Sequence, residues 1–112
     1  MNELGKKMLR KVIRQIKKQP ELFDMSNFDG ETSNSCETTH CIGGWLHTFV
    51  NPNGTYFETR QALDMSFSDW ERLCFCNHWP PQFSKIKAPL WNPSIATTVA
   101  RIKHFIATDG AE

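Results

Sequence analysis

The sequence predicts an all-α protein: a compact single domain, residues 1–112, of four to five helices joined by irregular loops. Three observations carry this expectation. The first segment separates into an apolar face and a cationic face at helical period. A second segment, Cys41 to Val50, is apolar nearly all round, as a buried central helix is. No stretch shows a convincing two-residue alternation of the kind that marks a half-buried strand. A chain of 112 residues is the size of one domain and buries roughly two thirds of its unfolded surface.

The first helix spans Asn2 to Lys18. At about 100° per residue, Leu4, Met8, Leu9, Val12, Ile13 and Ile16 share one half of the wheel. Lys6, Lys7, Arg10, Lys11, Arg14, Lys17 and Lys18 share the other. Pro20 ends the helix, because the residue before proline avoids the α region. Leu22, Phe23 and Met25 anchor a short turn on this helix, and the polar stretch from Ser26 to Ser35 follows. The central helix takes Thr38 or Thr39 as its N-cap. Its Gly43-Gly44 pair costs helix propensity, about 1 kcal/mol per glycine against alanine, so a neighbouring helix is expected to pack closely there.

Asn51-Pro52-Asn53-Gly54 is a turn. Tyr56-Phe57 is a candidate isolated bridge, followed by a third helix from Glu58 to Leu63. Ser66 or Ser68 caps a fourth helix that runs to Phe75, and Ser68-Asp69-Trp70-Glu71 has capping-box form. Trp79-Pro80-Pro81 ends it, and residues 82–91 form an irregular loop. Asn92 as N-cap and Pro93 at the first helical position open the last helix, which Gly110 stops. A helix-turn-helix between Thr59 and Phe75 is better read as a packed helix pair. Two acids, Asp69 and Glu71, on its would-be reading helix repel phosphate.

The order of the blocks Pro20-Glu-Leu-Phe-Asp-Met25 and Cys36-Glu-Thr-Thr-His-Cys41-Ile-Gly-Gly-Trp45 resembles a small bacterial family of uncharacterised proteins. There a Cys-Gly-Thr-x-x-Cys-Ile-Ala-Gly-Trp box follows a basic helix. The likeness continues through Leu63-Asp-Met-Ser66, Leu73, Asn77-His-Trp79-Pro80 and Arg101-Ile-Lys-His-Phe-Ile106. Glu37 stands where the family has glycine, Gly43 where it has alanine, and Cys74 and Cys76 where it has apolar residues. The resemblance implies a shared fold and brings no activity with it.

Charge narrows the function classes. The net charge is +1, but residues 1–20 hold seven Lys/Arg and one acid, so the remainder is net acidic. Six acids, Glu21, Asp24, Asp29, Glu31, Glu37 and Glu58, fall in a gap without Lys or Arg between Lys18 and Arg60. The basic face is then either matched internally by those acids or open to a partner. No apolar run reaches the roughly 18–20 residues of a membrane span, and the basic N-terminus lacks a secretory apolar region. A cytoplasmic location is expected.

Phosphate-cradling glycine loops, paired-histidine metalloprotease helices and nucleophile elbows are missing, so no cofactor is expected and an enzyme is disfavoured. The expected function is a protein-interaction or regulatory module. Its candidate partner-binding residues are Lys7, Arg10, Lys11, Arg14, Lys17 and Lys18, with Trp79 and Trp91 of a Trp-rich loop. Nucleic-acid binding through the same cations is the alternative. Cys36 and Cys41 form a further candidate. They read as structural thiols, as a disulfide or redox pair, as a metal site shared with Cys74, Cys76 and His78, or as a nucleophile at a helix N-terminus.

Overall fold

A computed structural model describes residues 1–23, 25, 40–83 and 93–112. Five α-helices are present among them: α1 Glu3–Lys18, α2 Ile42–Val50, α3 Tyr56–Ala62, α4 Phe67–Cys74 and α5 Ile95–Ala107. Single 3₁₀ turns occur at Pro20–Leu22, Cys76–His78 and Pro81–Phe83. Among the described residues the extended backbone makes one isolated bridge, Phe23 to His40, which ties the end of the first turn to the entry of α2. Tyr56 and Phe57, the expected bridge, begin α3 instead.

The helix starts follow local side-chain chemistry. Asn2 caps α1, its Oδ1 accepting from the Gly5 amide at 2.8 Å. The same residue reaches across the fold: its Nδ2 donates to Ala62 O and its amide to Leu63 O at the end of α3. Thr55 caps α3 and Ser66 caps α4, each in a full capping box, with Glu58 and Asp69 returning the bond. The α4 cap is thus Ser66 and not Ser68, because the acid three residues on, Asp69, completes the box only from position 66. Ser94 caps α5. Asn92, the expected cap, lies outside the described residues, as do Thr38 and Thr39. Cys41 caps α2, its sulfur accepting from the Gly44 amide at 3.4 Å, so the helix begins at Ile42.

The core joins α1, α2, α4 and α5, and Tyr56 of α3 packs against it. Leu9, Val12, Ile13 and Ile16 of α1 meet Ile42, Trp45 and Leu46 of α2, Trp70 and Leu73 of α4, and Ile102 and Phe105 of α5. Leu4, on the same arc of the wheel, is 42% exposed, because the first turn of α1 overhangs the core. α2 packs against α1, α3 and α4, while α5 packs against α1 and α4. Of the glycine pair, Gly43 faces a neighbouring helix as expected, whereas a Cβ on Gly44 would meet the His40 side chain at 2.7 Å. A Cβ on Gly43 would stand 2.9 Å from Cζ2 of Trp70 and 3.2 Å from the Cys74 sulfur, so the missing side chain lets α4 approach.

α5 ends in a Schellman turn. The Gly110 amide donates to Phe105 O and the Asp109 amide to Ile106 O, with Asp109 and Gly110 both in the left-handed region. The stop therefore begins one residue before Gly110, at Asp109. Arg72 fastens this turn by donating to Gly110 O at 2.6 Å while also pairing with Asp69.

Among the described residues one charged side chain lies fully inside. Arg101 is 0% exposed, with its guanidinium near the rings of Phe83 and Phe105. Its Nη2 donates to Arg72 O at 3.0 Å, but Nε and Nη1 have no partner. Burial, and secondarily the charge of Arg72, push its pKa down to about 10. Buried donors without acceptors cost about 1–3 kcal/mol each. Arg101→Met keeps the aliphatic stem and removes the charge and the open donors. We expect urea unfolding at neutral pH to show this variant more stable by about 1 kcal/mol. A loss of stability would mean that the Arg72 carbonyl bond outweighs them.

Candidate functional site

The cations of α1 stand outside the core because Leu9, Val12, Ile13 and Ile16 turn the opposite face of the helix into it. Lys7, Arg10, Lys11, Arg14, Lys17 and Lys18 are all exposed. Among the described residues, none of these six is within ion-pair distance of a carboxylate. The seventh, Lys6, pairs with Asp109 at 3.3 Å. Of the six acids in the gap without Lys or Arg, Glu58 is engaged in the α3 capping box and Glu21 is exposed. Asp24, Asp29, Glu31 and Glu37 lie outside the described residues.

Five of the six cations border hollows on the two sides of α1, with Arg14 bordering both. Lys11 and Lys18 line a small hollow with Phe49 of α2, and the Lys11 ammonium sits 4.4 Å from the Phe49 ring centroid. Arg10, Arg14 and Lys17 lie on the other flank, facing α5. There Arg10, Ile13 and Arg14 meet Lys103, Ile106 and Ala107 around a hollow of about 400 Å³. Lys17 meets Ile95, Ala96, Val99, Ala100 and Lys103 around another of about 480 Å³. Lys103 borders both, so they are successive stretches of one groove. Lys6 pairs with Asp109 beyond the end of α5, whereas Lys17 meets its first turns, so the two helices run antiparallel.

The tryptophan expectation is corrected. Trp79 is only 4% exposed, and its Nε1 donates to Leu73 O at 2.8 Å. It closes the last turn of α4 and offers no surface to a partner. α4 ends at Cys74, and the 3₁₀ turn Cys76–His78 that follows brings the indole back under it. Trp91 lies outside the described residues, as does the loop from 84 onward.

Two of the cysteines, Cys41 and Cys74, are buried in the helix packing. Cys36 lies outside the described residues. Cys41 is buried and caps α2. Cys74 is buried beside Gly43, and burial together with nearby Cys41 pushes its thiol well above the ordinary range. A thiol so held stays protonated and unreactive. Cys76 is half-buried and His78 exposed. Among the described residues no three His, Cys, Asp or Glu converge as metal ligands.

Two features escape sequence reasoning. Phe57 and Phe67 are 57% and 55% exposed, and the Arg60 guanidinium lies 5.4 Å and 5.3 Å from their ring centroids. This exposed sandwich borders a polar hollow with Asp64 and Asp69. Helices of seven and eight residues are too short for periodicity to show which aromatics face outward. The second feature is His47. Its Nδ1 is 2.8 Å from Thr59 Oγ1 and its ring stacks on Tyr56 at 4.3 Å. Burial lowers its pKa from 6.5.

Trp79→Phe keeps the ring and removes its donor. It should cost about 1–3 kcal/mol in urea unfolding and leave surface binding unchanged. His47 gives a pH dependence with a fixed sign. Its folded pKa is lowered, so the unfolded chain takes the proton first. Stability is then complete above 6.5 and falls as pH drops below it. Urea midpoints between pH 7.5 and about 5 should decline, and His47→Gln should flatten that decline. Compared with protein-family models, with curated proteins and with solved structures, the chain finds no match.

Proposed function

We propose that this protein is a non-catalytic, cytoplasmic interaction module that contacts another protein through the outer face of α1. One observation carries the proposal. Six exposed cations share that face, and among the described residues no carboxylate neutralises them. A surface of this kind steers an acidic partner and sets its register. Membrane insertion of α1 is disfavoured, because an interfacial helix must offer its apolar face to lipid. Leu9, Val12, Ile13 and Ile16 already spend that face in the core. No helix among the described residues is long and apolar enough to cross a membrane.

The likeness to the small bacterial family belongs to this proposal at the level of fold. Three residues of the box have packing roles here: Cys41 caps α2, Gly43 admits Trp70, and Trp45 stacks on Phe49. None of the three is exposed as a binding residue would be.

The second reading, nucleic-acid binding, uses the same six cations. It predicts an affinity that falls steeply with salt, by about 0.9 log unit per log unit of salt for each phosphate contacted.

The test reverses charge on the face: Lys7→Glu, Arg10→Glu, Arg14→Glu and Lys17→Glu together. Proteins captured from lysate by the native chain should be lost by the variant, whose helical circular dichroism should be unchanged. Capture of the same proteins by both would remove α1 from the function. Tight binding of a duplex at low salt, lost in the variant, would favour the second reading.

A further inference from the structure

We propose that the groove between α1 and α5 receives an acidic amphipathic helix of a partner protein. The inference rests on the proposed role of the basic face and names the partner's chemistry. The groove has an aliphatic floor and cationic rims. Ile13, Val99 and Ile106 form the floor, and Ala96, Ala100 and Ala107 keep it shallow enough for a helix backbone to approach. Arg10, Arg14 and Lys17 stand on the α1 rim and Lys103 on the α5 rim. Among the described residues none of these four has a carboxylate partner.

Each class of ligand answers to this pairing differently. A nucleic-acid backbone gains from the rims and nothing from an aliphatic floor. An uncharged helix gains from the floor and leaves the rims idle. A helix with aliphatic residues at i, i+3 or i+4 and i+7, flanked by Asp or Glu, uses both. The dimensions agree, since α5 has 13 residues and runs about 18 Å, the length of three helical turns. Asp109, the one acid at the groove's end, is held by Lys6 and does not oppose an acidic ligand.

The test uses the full chain as bait for a displayed library of helical peptides of about 12–14 residues. Ala100→Arg and Ala107→Arg are counter-baits. Both positions are exposed, so the fold is expected to hold, and two separate sites guard against the failure of one. Each change fills the floor while adding a cation, so binding by charge alone would strengthen. Enriched peptides should carry the aliphatic spacing with flanking acids. They should lose about tenfold or more in affinity on either counter-bait, and a similar amount on Arg14→Glu with Lys103→Glu. Peptides that bind the arginine variants as well as the native chain, or that lack acids, overturn the proposal. So does a duplex DNA that competes and binds Ala100→Arg more tightly.

The groove and the basic face can fail separately. If no peptide enriches while the four-fold reversal on α1 still loses its captured proteins, the groove is wrong and the basic face stands. If that reversal loses nothing, both are wrong.

Discussion

α2 has to be covered on every side, and the rest of the molecule is arranged around that requirement. Its nine residues hold one hydroxyl side chain and one imidazole, and the remainder is apolar or glycine. A helix of this kind is stable only as the centre of a bundle. α1, α3 and α4 supply its neighbours, and the Gly43 face sets the distance to α4. Replacing that glycine by a larger residue would move Trp70, which in turn packs edge-on to Tyr56 of α3. One close approach therefore fixes two helix positions at once. α5 then closes the side that α1 and α4 leave open.

The polar groups left by this packing are handled at the helix ends. Asn2 serves α1 and the end of α3 together, so two helices share one cap residue. Arg72 joins the cap acid of α4 to the Schellman turn of α5. Helix termini are where backbone donors and acceptors lack partners, and these cross-links satisfy them while locking neighbouring helices. Among the described residues Trp45 Nε1 is buried without a partner, and Arg101 is the charged exception. Its stem fills space between Phe83 and Phe105, but two of its donors remain open. The long stem packs well and the head is costly to bury, which is the expected conflict for an arginine in a core.

Helical periodicity reveals what depends on one long segment. α1 and the closeness at Gly43 are both visible in the sequence, because sixteen residues fix a wheel and a glycine in an apolar run has few other uses. The same logic fails for short helices. Ser66 and Ser68 both look like caps, and only the bond returned by Asp69 separates them. Trp79 reads as surface because prolines follow it, yet the 3₁₀ turn Cys76–His78 brings its indole back under α4. Nothing in the sequence marks Phe57 and Phe67 as exposed, yet short helices leave them outside. The groove is the least legible feature. Its two walls are separated by most of the chain, and neither α1 nor α5 shows it alone.

The near-neutral net charge hides how the molecule meets its surroundings. A charge of +1 gives little long-range field, but the cations concentrate on α1 and the acids elsewhere. Glu58 is held by the Thr55 cap and Asp69 by Arg72, so these two carboxylates serve local bonds and do not pair with α1. Exposed ion pairs contribute little to stability, so nothing in the fold requires six cations on one face. Their cost is also small, because each is solvated. What distinguishes the flank toward α5 is the aliphatic floor beside it. Charge sets the rate and orientation of an encounter, and apolar burial sets its lifetime. A cationic face without a floor would hold partners loosely and without register. A floor without cations would accept any apolar surface. On α1 the two occur side by side on the flank facing α5, and the proposed selectivity rests on that conjunction.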